Sequence, residues 1–211
     1  TAQVSNLTTA QIAALTTAQV AAIASDDISA LGTAQIVALG TAQAAALSSA
    51  QIARLSTAQV AAMEVADTQV LSTTQVVSMT STQIVALTTD QLVGMSTLQV
   101  SSLKTLQIAS MTTAHIVAMT TDQVSNLTTK QLAAMTTKQV AALEAEDESV
   151  LSTTQLVALT TSQVATFTTD QIVALSTDQF SHMTTAQLSA LTSKQIVAIE
   201  LADAVVLTTA Q

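Results

Sequence analysis

Every eighth residue of this chain restarts the same short phrase. It is first complete at Thr8-Thr9-Ala10-Gln11-Ile12-Ala13-Ala14-Leu15. The pattern T/S-T-x-Q-φ-x-x-L, with φ apolar, then recurs without an insertion or deletion. Residues 1–211 therefore read as a single continuous array of about 26 octapeptides. Numbering the phases one to eight from Thr8, phase four is Gln at 22 of its 27 occurrences and phase one is mostly Thr or Ser. Together they spell S/T-x-x-Q, the capping box: the hydroxyl accepts from the amide three residues on, and the Gln side chain reaches back to the first amide. Each octapeptide thus announces a helix start.

Phases five and eight carry the large apolar side chains, as in Ile84 and Leu87. Three residues apart is one face of a helix, whereas on a strand the two would face opposite sides. Ala is frequent at phases three, six and seven and favours helix over strand. One long helix fits badly, because a step of eight rotates the apolar pair by about 80° and winds the stripe around the rod. The expected fold is all-α: a solenoid of very short helices of about one and a half turns, one per octapeptide, with a β-solenoid as the alternative. Two large side chains per octapeptide fall short of the cost of ordering eight residues, and a six-residue helix does not persist alone. Neighbours must complete one another's core. Phase eight is expected to lie deepest, phase seven to permit close backbone approach, and phase three to face solvent.

Four octapeptides are degenerate: 24–31, 64–71, 144–151 and 200–207. In the last three, Glu replaces the phase-one hydroxyl, and Asp67, Asp147 and Asp203 replace Gln. Loss of the cap is expected to let the preceding helix run on, from Gln59 towards Asp67, with Asp67 capping a new start or facing water. Met recurs at phase eight at 63, 79, 95 and 111, a step of sixteen that suggests two helices per coil.

The formal net charge is −9, with five basic residues and no Trp or Tyr, which argues against nucleic-acid binding. There is no Cys, hence no disulfide framework or zinc ribbon. Thr, Ser or Gln interrupts the apolar residues too often for a membrane span, and no segment resembles a signal peptide. Both ends fall in mid-repeat, at Thr1-Ala2-Gln3 and Thr208-Thr209-Ala210-Gln211. The expectation is a window on a longer protein, or else head-to-tail self-association.

The run L-T-T-A-Q-I-A-A-L-T-T-A-Q-V, with occasional segments such as Leu143-Glu144-Ala145-Glu146-Asp147, resembles the octapeptide arrays of very large secreted proteobacterial exoproteins of the haem-utilisation and adhesion type. The resemblance spans the chain and implies a bacterial secreted or cell-surface stalk or fibre.

Candidate sites are few. His115 occupies a Gln slot and His182 a phase-seven slot, and haem or metal ligation needs them to converge with other ligands. Glu144, Glu146, Asp147 and Glu148 form an acidic run with a calcium reading, but without the alternating D-x-D-x-D-G loop the favoured reading is a solvated acidic interruption. Paired Thr at phases one and two suggest a hydroxyl face for ice or polysaccharide, against their use as helix caps. Asn6 and Asn126 each head a glycosylation sequon that the step of eight already explains. No base lies beside the Ser and Thr residues, so no catalytic residues, cofactor or metal site are assigned and an enzyme is not expected.

Overall fold

The computed structural model describes residues 2–211, with side chains from Val4 on; Thr1, in the interrupted first octapeptide, lies outside them. Among the described residues every element is a helix of four to six residues, one per octapeptide, and there is no strand. None is long and apolar enough to cross a membrane. Tertiary contacts gather the chain into two compact parts, 1–111 and 112–211, each an α-solenoid built by the same rule.

The local rule is capping followed by an extended link. Thr88 sits outside the helix Thr89–Gly94 with φ −74° and ψ 159°, and its Oγ1 accepts from the Gln91 amide at 3.1 Å. The helix ends at Met95, which is again extended at φ −68° and ψ 142° while its amide donates to the Leu92 carbonyl at 3.1 Å. Two consecutive extended residues, phases eight and one, therefore connect each such helix to the next. No described residue has a positive φ, so the turn does not require glycine. A chain with three Gly and no Pro turns this often for that reason.

Within each part, a helix packs on the third helix before it and the third after it, as Ser81–Ala86 does with Thr57–Ala62 and Thr105–Ser110. The side-chain amide of Gln83 meets carbonyls 28 and 31 residues back. A separation of 28 residues is three and a half octapeptides, so a coil is larger than the two-helix hairpin suggested by the Met spacing. Those methionines simply fill the same core row as Leu: Met63, Met79, Met95, Met111 and also Met119 are all buried.

Phases five and eight form the core, with Ile84 at 0% exposure and Leu87 at 4%. Phase three faces out, as Asp90 and Leu106 do. Phase seven is half-buried against phase two of the third octapeptide before it. A Cβ on Gly94 would lie 2.6 Å from Val65 Cγ1. Bulky Val65 in a degenerate octapeptide is thus matched by the smallest residue at the facing phase seven.

The helix before Asp67 does not run on. Thr57–Ala62 ends, Glu64 adopts the cap conformation with φ −70° and ψ 154°, and a new helix spans Val65–Gln69. Met63 has to turn inward to fill its core row, and Asp67 still accepts from the Glu64 amide at 3.3 Å, which keeps half of the cap. Asp67 is buried and does not face water.

Candidate functional site

The most constrained chemistry in the chain is its row of buried glutamines. Gln83 is 2% exposed. Its Oε1 accepts from the Thr80 amide at 2.7 Å, and its Nε2 donates to the Ile52 and Leu55 carbonyls at 2.8 and 2.7 Å. One side chain therefore caps its own helix and joins it to the end of a helix in the preceding coil. The second part repeats this: Gln163 accepts from Thr160 at 2.7 Å and donates to Leu132 and Met135 at 2.8 and 2.7 Å. Of the two carbonyls it reaches, the phase-five one also accepts the phase-eight amide, and the phase-eight one belongs to the extended link just past the helix end. A buried amide with its donors and acceptor satisfied stabilises, whereas a buried carbonyl left bare costs about 1–3 kcal/mol. The capping half of this arrangement is written in S/T-x-x-Q. The inter-coil half is not, because nothing in the motif names a partner 28 residues away.

The degenerate octapeptides test the rule by breaking it. A carboxylate accepts but does not donate, so Asp67 keeps the Glu64 contact and offers nothing to the coil behind. Its Oδ1 is buried without a hydrogen-bond partner. Beside it runs a gap lined by Ile36, Leu39, Ala44 and Met63, too narrow for a water molecule. Burial pushes the carboxyl pKa up, against the Glu64 amide bond that pulls it down. Asp147 follows the same plan, raised first by burial and lowered by bonds to Glu144 and Thr121. Asp203 is buried and accepts from Thr177 Oγ1 at 2.8 Å.

Glu148 departs furthest. It occupies phase five, a row filled mostly by Ile, Val and Leu and elsewhere by Ala44, Thr68, Phe180 and Ala204, and is 0% exposed. Its Oε1 accepts from Gln171 Nε2 at 2.8 Å, while Oε2 has no partner. Desolvation, the largest influence, and nearby Asp147 push its pKa from the ordinary 4.5 to about 8.

The acidic run does not form a calcium cage. Glu144 and Glu146 are exposed, whereas Asp147 and Glu148 turn into the protein. Among the described residues, no three His, Asp or Glu side chains gather in a way that could hold a metal ion. His115 is buried in the Gln slot, its Nδ1 facing the Thr112 amide at 3.3 Å, so it stands in for the capping half of Gln. His182 is exposed and bonds the Asp178 carbonyl at 2.8 Å. Asn126 Nδ2 donates to the Asp122 carbonyl at 2.8 Å.

The phase-one hydroxyls are used as caps throughout, as at Thr80, Thr88 and Thr160. Hydroxyls at phases two and three remain outside. With phase-six Val and phase-seven Ser or His they line shallow open grooves: Thr73, Thr74, Val77 and Ser102, or Thr153, Thr154, Val157 and His182.

The ALTTAQ repeat model matches residues 20–57, 60–97, 95–129, 116–145 and 140–177. Its name spells phases seven to four of the octapeptide, which run here as Ala14-Leu15-Thr16-Thr17-Ala18-Gln19. No curated protein matches the chain. With most of its length covered by that model and the same octapeptide continuing on either side, the chain belongs to the ALTTAQ repeat family.

Proposed function

We propose that this chain is a structural element, the spacer or fibre-forming part of a secreted bacterial adhesin-like protein, and that it catalyses no reaction. The observation that carries this reading is the double use of glutamine. The recurring polar groups of the repeat, the phase-one hydroxyl and the phase-four amide, are engaged in holding helices and coils together. Such a chain extends by adding identical octapeptides, each bonded to what precedes it. Placement at the cell surface or outside the cell rests on the resemblance to secreted exoprotein arrays. The test is to place the chain between two fluorescent domains and vary the number of octapeptides. Separation that grows with each added coil supports a spacer; a separation indifferent to repeat number contradicts it.

A second reading has its own observation, the exposed hydroxyls beside half-open Val grooves, with Thr80 Oγ1 and Thr82 Oγ1 2.9 Å apart. That face fits a polysaccharide or ice surface. Binding to cellulose, chitin or ice that disappears when Thr74 and Thr82 of the first part become Val would establish it, and equal retention by both proteins would remove it.

A further inference from the structure

The octapeptide 144–151 holds an ionisable group where the repeat demands an apolar one. Glu148 also sits beneath two successive inter-coil links. Gln171 Nε2 is shared between the Val140 carbonyl at 3.1 Å, the Leu143 carbonyl at 2.8 Å and Glu148 Oε1 at 2.8 Å. Gln179 Nε2 donates to the backbone carbonyl of Glu148 and to that of Leu151, both at 2.8 Å. Movement of Glu148 therefore loosens two later octapeptides.

The surroundings offer its negative charge no counterion. Two helices pack on Ala145–Ser149, and a third, Thr177–His182, reaches it through Gln179. Thr169–Ala174 brings Gln171 and one charged residue, exposed Asp170, and Thr121–Ser125 carries exposed Asp122. The helix itself adds exposed Glu146 and buried Asp147, with exposed Glu144 at its start. Thr177–His182 carries exposed Asp178 and exposed His182, which face each other at 3.5 Å; every other titratable group on these elements is acidic. Buried Oε2 has no donor facing it, and an unpaired carboxylate in such a place is strongly disfavoured relative to the neutral acid.

We propose that the octapeptide 144–151 is a pH-gated weak point of the second solenoid, holding its links while Glu148 is protonated and opening ahead of its neighbours when the carboxyl ionises. The sign follows from linkage. The folded-state pKa, about 8, lies above the ordinary 4.5. The stabilisation is thus complete below pH 4.5 and is lost as pH rises to about 8. Asp147, raised in the same direction, adds to the effect. Acid tightens this segment and mild alkali loosens it.

Amide hydrogen exchange at acid and mildly alkaline pH, corrected for the intrinsic rates, tests the proposal on the full chain and on Glu148→Gln and Glu148→Val. Protection in Ala145–Ser149 and Thr169–Ala174 should fall at least about tenfold more than in Ser81–Ala86, which has no buried acid beside it. Most of that excess should vanish in both variants, leaving the smaller part that Asp147 contributes. An equal change in both places, or an excess undiminished in the variants, would overturn it. Should neither variant fold, the carboxyl carbon titration of Glu148 in the unaltered protein decides: a midpoint near 8 upholds the proposal and one near 4.5 ends it.

Discussion

At the scale of single residues, glutamine suits phase four because its amide carries an acceptor and two donors at the end of one stem. Asn is a methylene shorter, and Glu and Asp have no donor when ionised. Asp67 shows the consequence in its bare Oδ1 and the dry gap beside Ile36 and Leu39. Asp67→Gln should restore the donor to the preceding coil, fill the gap and remove a buried acid. Urea unfolding is expected to show a gain of about 1–2 kcal/mol; an unchanged or lower stability would mean that the surrounding coil has adapted to Asp. Half of the role of Gln was legible beforehand, since S/T-x-x-Q fixes a contact within three residues. The other half was not. Every octapeptide looks like every other, so the sequence carries no mark of which carbonyl lies beneath a given amide. The burial of Asp67, Asp147 and Glu148 is illegible for the same reason, as acidic interruptions in a polar-looking repeat read as solvated.

At the scale of the helix, the decisive pair is phase five with phase eight. Ile84 points into the core from the helix and Leu87 from the extended link that follows it, its amide still tied to the Ile84 carbonyl at 3.3 Å. That assignment followed from three-residue spacing alone. Helix ends were less legible at 64–71, where loss of the hydroxyl suggested a longer helix. The need to bury Met63 and half a cap from Asp67 were enough to break the chain there. Leu87→Asp puts a charge into the row that is 4% exposed and should cost about 3–5 kcal/mol, exposing flanking octapeptides to protease. Asp90→Lys, on the solvent face, should change stability by less than about 0.5 kcal/mol. Similar protease maps for the two would show that the faces are misassigned.

At the scale of the whole chain, cohesion in each part comes from links of fixed sequence separation, so what matters is preserving the step of eight. Removing 80–87 entire leaves each later Gln of the first part facing an equivalent carbonyl, because 28 residues back still falls on phase eight. Removing only 80–83 places phase four of the later octapeptides over the wrong half of the coil behind. The first deletion should keep the helical circular dichroism and melt cooperatively, and the second should lose helicity over about one coil on either side. Equal damage from both would mean that the octapeptide is not the unit of addition. The number of octapeptides per coil, three and a half, was beyond reach of the repeat pattern. It depends on the angle the two extended link residues impose between helices, and those dihedrals are not encoded in the hydrophobic period. The recurrence of Met every sixteen residues pointed elsewhere because Met and Leu are interchangeable in that row.

The coil spacing itself can be measured in a chain that has no cysteine of its own. Ser110 Oγ lies 3.5 Å from the Ser81 carbonyl, 29 residues back. Under mild oxidation, Ser81→Cys with Ser110→Cys should crosslink rapidly in the folded protein, while Ser81→Cys with Thr97→Cys, sixteen residues apart, should not. Efficient crosslinking of the second pair and none of the first would contradict a coil closed by glutamine over 28 residues.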